Sequence, residues 1–227
     1  MAIQLALDTT IIGPAMPTIG RELRDVEHLP WVVTSYLLVS TAVTPLYGKL
    51  SDIHGRRPIL LIAIALFVMG SIACALSTNM LALVLSRGLQ GLGGGGLIAL
   101  TQAIVGDIIP PKQRPQYQIY IQTTWLAAGL SGPVIGGFFS EYLHWTMIFW
   151  INLPLCAVAW VLARRALRLL PDRRADHALD LVGAGLLSGA TLTLLLALLA
   201  VAMSSQPSVL KSATTADDCA PCAGTVA

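Results

Sequence analysis

The chain is cut into apolar blocks of about the length that crosses a bilayer, and no other feature constrains its fold as strongly. A helix rises ~1.5 Å per residue and a hydrocarbon core is ~30 Å thick, so about 20 residues span it. Seven such blocks run near residues 1–19, 31–50, 58–76, 80–109, 118–140, 147–163 and 181–203. Of the 227 residues 55% are hydrophobic and only 11% charged, about half the share of a soluble domain. So few charges cannot cover a soluble surface. In lipid every backbone amide must be satisfied internally, which makes helices the expected element for all seven blocks. The expected fold class is all-α: a multi-pass membrane bundle of six helices with a seventh span behind it.

The expected organisation is a six-helix bundle over 1–165, a cytoplasmic basic linker over 166–180, the seventh helix over 181–203 and a tail over 204–227. The tail is polar and rich in small residues, so it reads as disordered or as the product of a frame change after about Met203. The first block has no polar lead-in, and truncation at both ends is the expectation. It is not a signal peptide, because it carries Asp8 and no small-residue cleavage site follows it. Cys74 and Cys156 sit in apolar blocks as small hydrophobes, and Cys219 and Cys222 form a lone CxxC with no second ligand pair, so no metal site is expected. No nucleotide motif or triad-like cluster points to an enzyme.

The charges are placed unevenly. Lys49, Arg56, Arg57, Lys112, Arg114, Arg164, Arg165, Arg168, Arg173 and Arg174 occupy the second, fourth and sixth connections, whereas the other side holds Arg21, Arg24 and Lys211. By the positive-inside rule the second, fourth and sixth connections and the N-terminus are cytoplasmic and the tail is outside. Trp31, Trp145 and Trp150 then fall near the outer interface and are expected to be anchors there. The densest cluster, "YGKLSDIHGRRPILL", adds Asp52, His54 and the glycines Gly48 and Gly55 to its basic residues. Asp52 beside Arg56 and Arg57 can make charge-assisted hydrogen bonds that break and re-form, although a generic basic loop fits the same residues.

Asp8 and Arg87 lie inside the apolar blocks. A charge near a helix centre costs about 3 kcal/mol on insertion scales, so such residues mark function. Counting from the outer ends places Asp8 ~16 Å deep and Arg87 ~10 Å deep, within reach of each other. Both are expected to face one central, water-lined cavity; a static buried pair tying two helices is the alternative. In a cavity the carboxylate would have a proton affinity set by its surroundings, since lost water favours the protonated form and a guanidinium the ionised one. "RGLQGLGGGGL" places Gly91 and Gly95 at GxxxG spacing, and "AAGLSGPVIGG" does so with Gly132 and Gly136, which lets membrane helices pack closely. Pro133 is expected to bend the fifth span. Tyr120, Gln122 and Trp125 of that span face either a cavity or lipid.

These stretches together resemble the major facilitator superfamily, and most of all its drug:proton antiporters with 14 helices. "GKLSDIHGRRPILL" resembles the signature between the second and third helices, in register at Gly48, Asp52, Gly55, Arg56 and Arg57. "LVLSRGLQGLGGG" resembles the fourth-helix signature at Arg87, Gln90, Gly91 and Gly93. "AAGLSGPVIGGFF" resembles the fifth-helix antiporter signature at Gly132, Pro133, Gly136 and Gly137, with Ala128 at its leading position. "LDTTIIGPAMP" resembles the first-helix signature of the 14-helix branch, and "ALDLVGAGLLS" the start of its extra helix pair.

The resemblance implies roles. Asp52, Arg56, Arg57 and Asp107 would form a cytoplasmic gate; Arg87 with Gln90 would take part in proton coupling, and Asp8 in handling protons or substrate. It implies export from the cell (inner) membrane of small hydrophobic or cationic compounds, driven by a proton gradient with no bound cofactor. The partners would be the lipid bilayer and a complementary C-terminal half, with no nucleic acid. An uptake carrier of the same fold and a non-transporting fragment are the alternatives. Such carriers rock two bundles about a shared site, so this chain alone is not expected to transport.

Overall fold

The computed structural model describes residues 2–25 and 28–166, and beyond them positions 183, 186, 189–194, 196 and 197. The linker after Ala166, the tail over 204–227 and most of the seventh span lie outside the described residues, though positions 189–194 of that span are helical. The bundle consists of α1 (Ala2–Glu22), α2 (Leu29–His54), α3 (Arg56–Ala75), α4 (Met80–Ile108), α5 (Arg114–Tyr142), α6 (Met147–Trp150) and α7 (Asn152–Ala166).

Local chemistry explains where these helices start and stop. The Asn79 side chain accepts the Ala82 amide at 2.8 Å and caps α4, satisfying one donor that the first turn leaves free. Both α2 and α5 carry proline in the first turn, where no amide is needed. A single residue separates α2 from α3: Gly55, with φ 88° and ψ 150°, a conformation essentially reserved for glycine. The charged stretch expected to be a loop is therefore two helix ends meeting at a corner, and α5 likewise starts at Arg114 rather than near Gln118. Hydropathy marks where lipid ends, but Lys, Arg and Gln are good helix formers and carry the helices on into water. The sixth span is one crossing helix, Met147–Arg165, as expected, with a one-residue interruption at Ile151 whose backbone stays helical at φ −63° and ψ −24°. Pro154 has no amide to return to the Trp150 carbonyl.

By length and composition, α2, α3, α4 and the combined stretch Met147–Arg165 can each cross a membrane. The 21-residue α1 and 29-residue α5 are long enough but more polar, and they pack along one another. α4 runs along both α2 and α3, while α7 lies against α3. Lipid tails are as apolar as leucine, so such helices associate by close packing rather than by hydrophobic drive. Glycine makes that closeness available on α4. A methyl group on Gly91 would stand 2.7 Å from the Tyr36 carbonyl oxygen of α2, and one on Gly96 2.8 Å from the Ala63 methyl of α3. Gly132 and Gly136 do the same for α5 against Thr10 and Ile11 of α1.

Two apolar clusters fill the interior. One, toward the Gly55 end, includes Tyr47, Ile59, Leu60, Phe67, Leu97 and Leu100. The other, toward Trp145, includes Ile11, Ile19, Leu83, Ile148 and Phe149. Outside, Leu81, Leu85, Leu126, Leu130, Val134 and Val158 present a greasy surface suited to lipid. Between the two clusters lies a layer of buried polar side chains that includes Asp8, Ser71, Arg87, Gln90 and Asn152.

Candidate functional site

That layer centres on Asp8 of α1 and Arg87 of α4, which are 1% and 2% exposed. Arg87 Nη1 donates to Asp8 Oδ2 at 2.9 Å and to Gln90 Oε1 at 2.6 Å. Gln90 sits one turn along the same helix, so its carboxamide reaches the same carboxylate: Nε2 donates to Asp8 Oδ1 at 3.0 Å and to Ser71 Oγ of α3 at 2.8 Å. Gly70 permits this, since any side chain there would overlap the Gln90 backbone. Asn152, the first residue of α7, donates Nδ2 to Asp8 Oδ1 at 2.7 Å. The Cys74 thiol donates to Gln90 Oε1 at 3.7 Å. Two rings flank the guanidinium, Tyr36 of α2 at 5.3 Å and Phe149 of α6 at 5.2 Å from its carbon. Beside this group, Gln4 donates to the Cys156 sulfur.

Every helix but α5 thus contributes to one enclosed polar knot. Asp8 and Arg87 meet, as their depths suggested, and both are almost fully buried by the surrounding helices rather than exposed to a cavity. Breaking such a pair from one side costs about 3–5 kcal/mol, because the remaining charge is stranded. The knot is incompletely satisfied: Arg87 Nε, Asn152 Oδ1, the Tyr36 hydroxyl and Gln4 Oε1 have no partner among the described residues.

A second constellation sits at the Gly55 corner. Arg56, the first residue of α3, pairs with Asp52 of α2 at 2.6 Å and with Asp107 at the end of α4 at 2.8 Å, and it also donates to Ser51. Arg114 closes the same end by donating to the Gly106 and Ile109 carbonyls at 2.6 and 3.1 Å. Asp52 and Asp107 are about half exposed, so each pair is worth about 0.2–1 kcal/mol. Contacts of that size hold three helix ends together and are cheap to release. The corner does not gather every residue expected there: Arg57 has no partner among the described residues, and Gly48 has open space around it.

The fifth-helix signature is divided. Gly132 and Gly136 pack on α1, Gly137 has open space, and α5 continues through an exposed Pro133. Gln122 and Trp125 line a groove of 550 Å³ on the α5 surface with Gln118, Ile119, Thr123 and Leu126, while Tyr120 is exposed.

At the other end of the bundle, one expectation is corrected. Trp145 is no interfacial anchor: it is 2% exposed and donates Nε1 to Glu22 Oε2 at 2.6 Å, tying the α5–α6 turn to the end of α1. Trp150 is exposed as an anchor would be. Sequence reasoning also missed Asn152, Ser71 and Tyr36. Each is a polar side chain within an apolar block, a signal that was present for asparagine at least, since the chain has only Asn79 and Asn152.

A polytopic helical bundle with a buried ion pair at its centre and a cluster of charged pairs at one end is the architecture of an integral membrane protein. The chain belongs to the major facilitator superfamily, whose model matches residues 1–214. It is 43% identical over 169 residues to an uncharacterized MFS-type transporter of Schizosaccharomyces pombe, covering 74% of this chain and 28% of that protein. To the efflux pump dotC of Dothistroma septosporum it is 40% identical over 197 residues, 85% of this chain and 34% of the pump. It is 38% identical over 163 residues to the multidrug transporter protein MdtP of Bacillus subtilis, 72% of this chain and 30% of that one. The chain spans about a third of the length of these relatives. The human organic anion transporter MFSD10 (TETRAN) shares the fold, with a TM-score of 0.61 at 22% identity over 82% of this chain and 51% of its own.

Proposed function

We propose that this chain is the N-terminal bundle of a proton-coupled exporter in the cell membrane, with its N-terminus and the Gly55 corner in the cytoplasm. What carries the reading is the ion pair: a carboxylate and a guanidinium kept at the middle of a membrane bundle are too costly to retain for packing alone. While ionised, Asp8 binds Arg87 and holds α1 against α4. Protonation removes the charge and weakens that tie, so the bundle prefers a different arrangement when the proton is bound. The Arg56 latch, made of weak pairs, opens and closes at the cytoplasmic end as a second bundle rocks against this one. The substrates are small hydrophobic or cationic compounds. The efflux pump and multidrug transporter among the relatives support export rather than uptake, as does the resemblance of the fifth helix to the antiporter signature.

The test expresses the chain in efflux-deficient cells, alone and together with the remaining portion of the MdtP chain, and follows retention of a lipophilic cationic dye. Export is expected only with the complementary portion, collapsed by a protonophore and lost in Asp8→Asn. Export by the chain alone, accumulation of dye, or insensitivity to the protonophore would each overturn the proposal.

A further inference from the structure

Asp8 Oδ1 accepts two amide donors, and those two carboxamides differ in one respect. Gln90 is held at both ends: Nε2 by Asp8 and Ser71, Oε1 by Arg87 and the Cys74 thiol. Asn152 is held at one end only, since Nδ2 reaches Asp8 while Oδ1, fully buried, has no partner among the described residues. Asn152 also stands one residue past the short interruption at Ile151 and two before Pro154. The charged or titratable groups that face this carboxylate from the surrounding helices are Arg87 of α4, Tyr36 of α2, Cys74 of α3 and Cys156 of α7. Of these, Arg87 alone bonds to Asp8.

A proton added to Asp8 Oδ1 turns an acceptor into a donor, and both facing amides then present N–H groups to an O–H. One of them must turn. Gln90 would have to give up Ser71, Arg87 and Cys74 to do so. Asn152 gives up nothing else, because rotating its carboxamide by half a turn brings Oδ1 onto the new O–H. One end of Asn152 is unpartnered before the rotation and one after it, so the unmet hydrogen bond is the same in both protonation states, and only the strength of the bond to Asp8 differs. We propose that Asn152 is the positioning residue for the proton on Asp8, donating to the carboxylate and accepting from the carboxylic acid. This inference rests on Asp8 being the group that exchanges protons.

The experiment uses infrared difference spectroscopy on the 227-residue chain in lipid nanodiscs, titrated with acid and base. The carboxyl band of Asp8 is the one absent from Asp8→Asn. Selective ¹³C labelling of asparagine side-chain carbonyls marks Asn79 and Asn152, and Asn79→Ser removes the first. The Asn152 carbonyl band should move to lower frequency with the same midpoint as the Asp8 band grows in. Asn152→Leu deletes a bond that favours the ionised form, and a hydrogen bond to a charged group is worth roughly twice a neutral one. The Asp8 midpoint should therefore rise by about one pH unit, a tenfold gain in proton affinity. Leu100→Ala, a cavity in the cluster toward the Gly55 end, should leave the midpoint in place.

If Asp8 titrates and the Asn152 carbonyl band stays still, this inference fails while the proposed proton exchange stands. If no carboxyl band disappears in Asp8→Asn, the proposed exchange itself fails. Should Asn152→Leu not fold, the labelled wild-type band decides alone.

Discussion

Replacing Asp8 by leucine keeps the branching at Cγ and strands Arg87. The guanidinium would retain Gln90 Oε1 and its two flanking rings, but it would have no anion, and at 2% exposure it has no water to turn to. Removing one partner of a buried pair costs about 3–5 kcal/mol. Asn152 Nδ2 loses its acceptor as well, which adds about 1–3 kcal/mol in a soluble core. A chain unfolded within a membrane finds other polar partners, so membrane hydrogen bonds return less than that. The expected total is about 3–5 kcal/mol. Arg87→Leu should cost less, about 1–3 kcal/mol: Asp8 keeps its Gln90 and Asn152 donors and can take up a proton to shed its charge. The double variant strands no charge, so it should be more stable than Asp8→Leu alone by about 2 kcal/mol. The assay is unfolding in mixed micelles of increasing SDS content, followed by far-ultraviolet circular dichroism. An Asp8→Leu variant within 1 kcal/mol of the wild type, or a double variant as unstable as the sum of the singles, would refute the reasoning.

Three further outcomes follow from the packing and the corner. Gly91→Val should destabilise the bundle by about 1–3 kcal/mol in the same assay, since its methyls meet the Tyr36 backbone, whereas Gly129→Ala, with open space around it, should be neutral or stabilising by up to about 1 kcal/mol. Gly55→Ala forces a side chain into the conformation at φ 88° and should cost about 1–3 kcal/mol, read as a lower unfolding midpoint. Arg56→Ala should change stability by no more than about 1–2 kcal/mol while raising the labelling rate of a cysteine introduced at Ser51, because the weak pairs hold the corner shut without holding the fold together. An unchanged labelling rate would remove Arg56 from the latch.

Much of this arrangement could be read from residue chemistry. Asp8 and Arg87 announce themselves because a charge in an apolar block needs a partner, and counting residues along two helices puts them at similar depth. The corner could be read only through resemblance: Asp107 lies 51 positions from Arg56, and neither spacing nor composition links them. Trp145 was misread for a related reason. Its indole nitrogen finds Glu22, 123 residues away, and a tryptophan at a span's end looks the same whether it faces lipid or a neighbouring carboxylate. Ser71 and Tyr36 were silent, since serine and tyrosine occur on any membrane helix and only the approach of α3 at Gly70 and of α2 at Gly91 turns them inward. Helix ends were legible only to within a few residues. Lys49, Asp52 and Arg114 are polar enough to end an apolar block, yet they do not end the hydrogen-bonded helices that carry them.

The claim on which the rest depends is that the carboxylate of α1 and the guanidinium of α4 touch inside the membrane. Solid-state NMR in lipid bilayers measures this through dipolar dephasing between ¹⁵N-labelled arginine side chains and ¹³C-labelled aspartate carboxylates. An Arg56→Ala background removes the latch contribution. The 2.9 Å hydrogen bond predicts strong dephasing that disappears in Asp8→Asn. Dephasing that is identical with and without the Asp8 carboxylate would show that the two side chains do not meet, and the coupling account would fall with it.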